Sequence, residues 1–188
     1  MRLIMMGPPG AGKGTQAAIV CRKLAIPHIS TGDIFRTNVS AGTPLGVEAQ
    51  FYMDAGEYVP DGVTNAMVRD RLNETDCEQG FLLDGYPRTL AQVDELDSML
   101  IDGRRIDGVI ELTVEVDEVV KRLVSRAAEQ GRADDSETVI RRRLEVYFEQ
   151  TSPLITVYQG RGLLAKVSGM GDLGNVTERI LNVLSDHG

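Results

Sequence analysis

Short uninterrupted apolar runs alternate with longer segments of helical spacing along the 188 residues. Leu3-Ile4-Met5-Met6 has no polar interruption, the pattern of a strand buried on both faces. From Gln16 to Leu24 the apolar positions recur at helical spacing. Further strand-like segments fall at His28–Ser30, Gly80–Asp84, Asp107–Glu115 and Leu163–Ser168, with amphipathic stretches between them. Strands separated by helices need crossover connections, so the pattern predicts an α/β fold: a five-stranded parallel sheet between two helical layers.

No internal repeat, low-complexity tract or Pro/Ser-rich linker breaks this alternation, and residues 1–188 read as a single core. Two stretches exceed what a crossover needs. Thr31 to Gln79 predicts several short helices, punctuated by Gly42-Thr43-Pro44, Gly56 and Val59-Pro60-Asp61-Gly62. An inserted substrate-binding flap over 30–59 accounts for the excess. Ala127 to Asp135 is polar enough for a loop between two helices, where either a short lid over 126–136 or a plain surface connection fits.

The first strand runs into Gly7-Pro8-Pro9-Gly10-Ala11-Gly12-Lys13-Gly14-Thr15. Glycines let successive backbone N–H groups converge on one anion, and the following helix points its positive end at the same place. This is a phosphate-cradling loop in which Lys13 reaches the outer phosphates. The hydroxyl expected directly after the lysine is displaced by Gly14 and arrives as Thr15. At the end of the third strand, Asp84 is placed to support Mg²⁺ through a metal-bound water, or else to cap the next helix.

A net charge of −8 disfavours nucleic acid or an anionic membrane as the main partner. The N-terminal apolar run is too short for a signal segment or a span, so a cytoplasmic protein is expected. Cys21 and Cys77 lack metal-ligand spacing, which argues against a zinc site and for buried or incidental thiols. Sixteen of the twenty basic residues are arginines, whose planar fork suits phosphates. Arg122 and Arg126 share one margin of the stripe Val119, Val120, Leu123, Ala127 and can reach a cleft together. On the next helix Arg143 falls within the buried arc of Val139, Ile140, Leu144 and Tyr147, whereas Arg141 and Arg142 read as a solvated face. Thr31 reads equally as a helix N-cap or a ligand contact.

Gly7–Thr15, Ser30-Thr31-Gly32-Asp33, Asp84-Gly85-Tyr86-Pro87-Arg88 and Gly131-Arg132-Ala133-Asp134-Asp135 occur in one order, and with them the chain resembles the adenylate kinases in their short-lid form from end to end. The resemblance implies a P-loop kinase core with a small helical monophosphate-binding insertion, and reversible Mg²⁺-assisted transfer between ATP and AMP giving two ADP. It implies an ATP site at Gly10, Ala11, Gly12, Lys13, Gly14, Thr15, Arg126 and Gly171. It implies an AMP site at Thr31, Arg36, Glu57, Tyr58, Val59, Gly85, Tyr86, Pro87, Arg88, Gln92, Arg132 and Arg143, in which Glu57 to Val59 contribute largely backbone and packing. Lys13, Arg88, Arg122, Arg126, Arg132 and Arg143 are implied for the transfer itself, Asp84 for the metal, and the family is commonly monomeric. The same fold also serves kinases of UMP or CMP, and a non-catalytic nucleotide-binding protein is the reading from another class. No Asn-Lys-x-Asp motif of a guanine-specific switch occurs.

Overall fold

The computed structural model describes residues 1–101, 103–130 and 136–185, with side chains of 126–130 set aside. Its centre is a sheet of β1 (Arg2–Met6), β2 (His28–Ser30), β3 (Phe81–Asp84), β4 (Gly108–Thr113) and β5 (Leu164–Ser168). All neighbours pair in parallel, in the order β2-β3-β1-β4-β5. The chain order reverses beside β1, and the carboxyl end of a strand at such a switch point opens a crevice that neither neighbouring crossover covers.

The unbroken apolar run of β1 is split by the pleat between two cores. Ile4 and Met6 join Ile29, Leu83, Val68, Val93, Leu96, Leu154 and Tyr158 on one face. Leu3 and Met5 join Leu82, Ile110, Leu112, Ala17, Val20, Val176 and Ile180 on the other. The first face is covered by α4 (Asp61–Leu72), α5 (Leu90–Met99) and α8 (Pro153–Gly160), the second by α1 (Lys13–Leu24) and α9 (Leu173–Ser185). The expected three layers and five parallel strands are thereby present.

β4 is shorter than its apolar pattern predicts. Asp107 is spent on pairing outside the ladder, its carboxylate accepting from the Arg2 N–H at 2.6 Å, and the Glu115 carbonyl accepts from Val119 N–H as the next helix begins. That helix, α6 (Val116–Gln130), runs through 127–130, where the polar pattern predicts a loop, and α7 (Glu137–Val146) follows. Of the expected lid, residues 131–135, Arg132 among them, lie outside the described residues, and Ser136 stands at the N-cap of α7. Among the described residues no helix is long and apolar enough to cross a membrane.

Between β2 and β3 stand α2 (Thr31–Ala41), α3 (Pro44–Ala55) and α4, with a small core of Phe35, Ala49 and Val59. The cap of α2 is Ser30, whose hydroxyl accepts from Asp33 N–H at 3.3 Å, and not Thr31. Nor does Asp84 cap α5; Thr89 does, accepting from Gln92 N–H at 3.2 Å. In both cases the hydroxyl sits one residue before the helix in extended backbone, the geometry that lets a side-chain oxygen reach the first free N–H groups.

Candidate active site

The phosphate loop joins β1 to α1 at the switch point. Gly12, at the N-cap of α1, is left-handed (φ 90°) and supplies no side-chain cap, so the first helical N–H groups face outward. Gly10 is also left-handed (φ 83°), and a Cβ there would stand 2.9 Å from Leu123 Cγ of α6. Only glycine allows the loop to pass so close. Lys13 folds back over the loop, donating from Nζ to the carbonyls of Gly7 at 2.8 Å and Pro8 at 2.9 Å. Gly14 and Thr15 are exposed in the first turn.

Asp84 is 8 % exposed at the carboxyl end of β3, in register with Met5. A methyl on Gly14 would lie 3.5 Å from Asp84 Oδ2, so the carboxylate faces the start of α1; His28 Nε2 is 3.4 Å from the same oxygen. Among the described residues no three His, Cys, Asp or Glu side chains group as a metal cage. One carboxylate beside a phosphate loop nevertheless fits Mg²⁺, which keeps most of its waters and takes phosphate oxygens.

Past Asp84 the chain turns sharply. Gly85 is left-handed (φ 81°), and a Cβ there would lie 2.8 Å from both Arg88 Nη2 and Thr31 Oγ1. Its carbonyl accepts from the Thr31 hydroxyl at 2.9 Å and from Arg88 Nε at 2.7 Å, which ties the flap to the turn and aims the guanidinium. The Tyr86-Pro87 peptide is cis. The Arg88 guanidinium lies 4.8 Å from the centre of the Tyr58 ring. Tyr58 in turn pairs its hydroxyl with Thr151 Oγ1 at 2.8 Å, and Thr151 donates to the Arg88 carbonyl at 2.9 Å. Thr151 closes a π-helical segment, Tyr147–Thr151, between α7 and α8. Such wider turns re-aim side chains and recur at functional sites.

Arg36 is held by Asp33 at 2.6 Å. Burial pushes the Asp33 carboxyl up, but the Arg36 hydrogen bond and charge, with the Ser30 hydroxyl, bring it below its ordinary value. Gln92 is buried rather than displayed on a solvent face: its Oε1 accepts from the Arg88 N–H at 2.7 Å and its Nε2 donates to Asp61 at 2.6 Å. Tyr86 donates to Asn65 at 2.9 Å, and burial pushes its hydroxyl up beyond its ordinary range, so it stays neutral.

Lys13, the flap and the turn after β3 line one cleft of about 980 Å³, its open mouth included, whereas Gly10, Ala11, Gly12, Gly14, Thr15 and Asp84 are not among its lining residues. It brings together Lys13, Thr31, Arg36, Glu57, Tyr58, Val59, Gly85, Tyr86, Pro87, Arg88, Gln92 and Arg143. Phe35, Met53, Thr64, Tyr147 and Thr151 also line it and were not singled out from sequence. Nothing in their local pattern separates them from ordinary core positions. Arg122 and Gly171 are elsewhere, on the far flank of the phosphate loop. Arg122 donates to Glu118 at 2.9 Å and to the Gly169 carbonyl at 3.2 Å, while Gly171 (φ 96°) is exposed in the turn after β5. The side chain of Arg126 lies outside the described residues.

Arg142 corrects its sequence reading. Instead of a solvated face it donates from Nε to Glu57 at 2.6 Å and from Nη1 to Glu145 at 3.2 Å, joining α7 to the end of the flap. The Glu57 and Glu145 hydrogen bonds push its guanidinium pKa up. Arg141, paired with Glu137 and 70 % exposed, remains on the solvated face.

An acidic protein thus gathers Lys13, Arg36, Arg88 and Arg143 around one cavity, an arrangement that a polyanion would neutralise. Residues 5–163 match the sequence model of the family described as Adenylate kinase. The chain belongs to the adenylate kinase family. Its similarity to named adenylate kinases is close and nearly complete in length. It is 62% identical to the adenylate kinase of Nocardioides sp. over 98% of this chain and 97% of that protein. It is 57% identical to that of Thermobifida fusca over 98% of each chain. Against the adenylate kinase of Kocuria rhizophila the identity is 58%, over 97% of this chain and 98% of that one.

Proposed function

We propose that this protein catalyses reversible phosphoryl transfer from ATP to AMP, giving two ADP. The observation that carries the reading is one cleft lined by cations from separate elements: Lys13 over the phosphate loop, and Arg36 with Arg88 from the flap and the turn after β3. Such an arrangement suits a donor polyphosphate and an acceptor monophosphate meeting in one cleft.

The acceptor phosphate has its second pKa near ~6, so it arrives already largely anionic at neutral pH and needs no general base. An acceptor oxygen forms a bond to the terminal phosphorus of ATP as the bond to the bridging oxygen breaks, and ADP leaves with that oxygen's negative charge. Lys13 and the loop N–H groups hold the donor phosphates. Arg36 and Arg88 hold the acceptor, and Arg88 with Arg143 faces the group in transit. Arg122 steadies the donor flank, and Arg126 and Arg132 serve the transfer from the lid over 126–136. Mg²⁺ bound with ATP supplies charge neutralisation, and Asp84 would hold it through a water. The flap over 30–59 and the lid exclude water, which would otherwise compete as acceptor.

Thr31 and Gln92 favour adenine over a pyrimidine at the acceptor site. Coupled assays of ADP formation with Mg-ATP and each of AMP, UMP, CMP and GMP test the reading. The highest kcat/KM is expected with AMP. A preference for UMP or CMP, or folded protein that forms no ADP, would overturn it.

A further inference from the structure

Two groups of fixed polarity grip the Gln92 amide. The Arg88 backbone N–H donates to Oε1 at 2.7 Å, and Asp61 Oδ1 accepts from Nε2 at 2.6 Å. A backbone N–H can only donate and an ionised carboxylate can only accept, so the flipped amide would set hydrogen against hydrogen and oxygen against oxygen. Asp61 is itself fixed. Its second oxygen accepts from the Thr89 hydroxyl at 2.9 Å, and that hydroxyl caps α5 by accepting from Gln92 N–H at 3.2 Å. Gln92 lines the cleft, whereas Asp61 stands behind it as the first residue of α4, where the flap returns to the core.

We propose that Asp61 is a positioning residue for base choice, acting by locking the polarity of the Gln92 amide. A primary amide has two N–H donors and two acceptor lone pairs. With one of each committed to Asp61 and Arg88, one N–H and one lone pair remain. They match a purine edge that presents a ring-nitrogen acceptor beside an amino donor, as adenine does through N1 and its 6-amino group. Hypoxanthine reverses both, offering N1–H and a 6-oxo group. An amide free to flip would accept either base; one locked by a carboxylate rejects the second, because reading it leaves buried polar groups unpaired. This inference rests on the function proposed above, with Gln92 meeting the acceptor base.

The test measures kcat/KM for AMP and for IMP, and KM for Mg-ATP, in the unaltered chain, Asp61→Asn and Asp61→Ala, with thermal unfolding alongside. Asp61→Asn is nearly isosteric and can donate as well as accept, so it removes the carboxylate's half of the lock while preserving the packing and leaves the Arg88 N–H as the group that still opposes the flipped amide. The AMP-to-IMP ratio is expected to fall about tenfold or more in both variants, the scale of one charge-assisted hydrogen bond, with KM for Mg-ATP unchanged. A folded Asp61→Asn protein with an unaltered ratio overturns the proposal. Equal losses toward AMP, IMP and ATP overturn it as well, since that is the signature of general structural damage. If the unaltered chain itself prefers another monophosphate to AMP, the function proposed above fails and this inference falls with it, a result seen without any variant.

Discussion

Thr151→Val removes one hydroxyl while nearly conserving volume, and the structure specifies what that hydroxyl does. It spends its only proton on the Arg88 carbonyl at 2.9 Å, so the Tyr58 hydroxyl, 2.8 Å away, must be the donor in the second bond. Thr151 is 6 % exposed, which denies water easy access to replace either partner. Two hydrogen bonds at about 1 kcal/mol each give a loss of about 2 kcal/mol. For a chain of this length that lowers Tm by roughly 4–8 °C. The functional loss follows from the Tyr58 ring, which lies 4.8 Å from the Arg88 guanidinium. A loosened ring gives up part of a cation–π contact of about 0.5–1 kcal/mol and frees the turn that aims Arg88. We expect kcat/KM for AMP to fall about two- to fivefold with KM for ATP unchanged, as for a defect confined to one part of the cleft. Differential scanning calorimetry and the coupled assay measure the two effects. A Tm within about 1 °C of the unaltered chain, together with normal kinetics toward AMP, would refute the network as described.

Glu57→Gln breaks the contact between the flap and α7 made through Arg142. Because both side chains are just over a third exposed, KM for AMP should rise only about two- to fivefold, and the difference should vanish above roughly 0.5 M salt. A salt-independent effect would assign the loss to packing. Both cysteines are buried: burial, aided at Cys21 by the nearby Asp84 charge, pushes each thiol from its ordinary 9.0 to about 11. Native protein at pH 8 should therefore resist alkylation that is rapid after denaturation. The folded values lie above the unfolded ones, so this contribution to stability is complete below pH 9 and is lost as the pH rises toward 11. Fast labelling of the native protein at pH 8 would contradict the burial.

The layers and the phosphate loop were readable in the sequence because both are local patterns. An apolar run of five residues or fewer followed by helical spacing can satisfy its backbone and bury its side chains in few ways, and the glycines at 7, 10 and 12 mark a turn that bulkier residues could not make. Capping was harder to read. Ser30 and Thr31 are adjacent hydroxyls, and only the observed backbone shows that Ser30 caps α2 while Thr31 turns to the Gly85 carbonyl. Arg142 misled the helical-face reading because its partner, Glu57, is 85 residues away.

Sequence by itself determined the parallel α/β core, the cradle ending in Lys13, the acid at the end of β3 and the family to which these motifs point. Each depends on residue types within a few positions of one another, where chain connectivity already imposes the geometry. Tertiary structure alone decided how the acceptor end is supported: Thr151 behind Arg88, Tyr58 beneath it, and Asp61 behind Gln92. Those pairs are 63, 30 and 31 residues apart. Their hydrogen bonds form because hydrophobic burial packs α4, α5 and α8 against one face of the sheet and brings these distant, partly buried polar groups together.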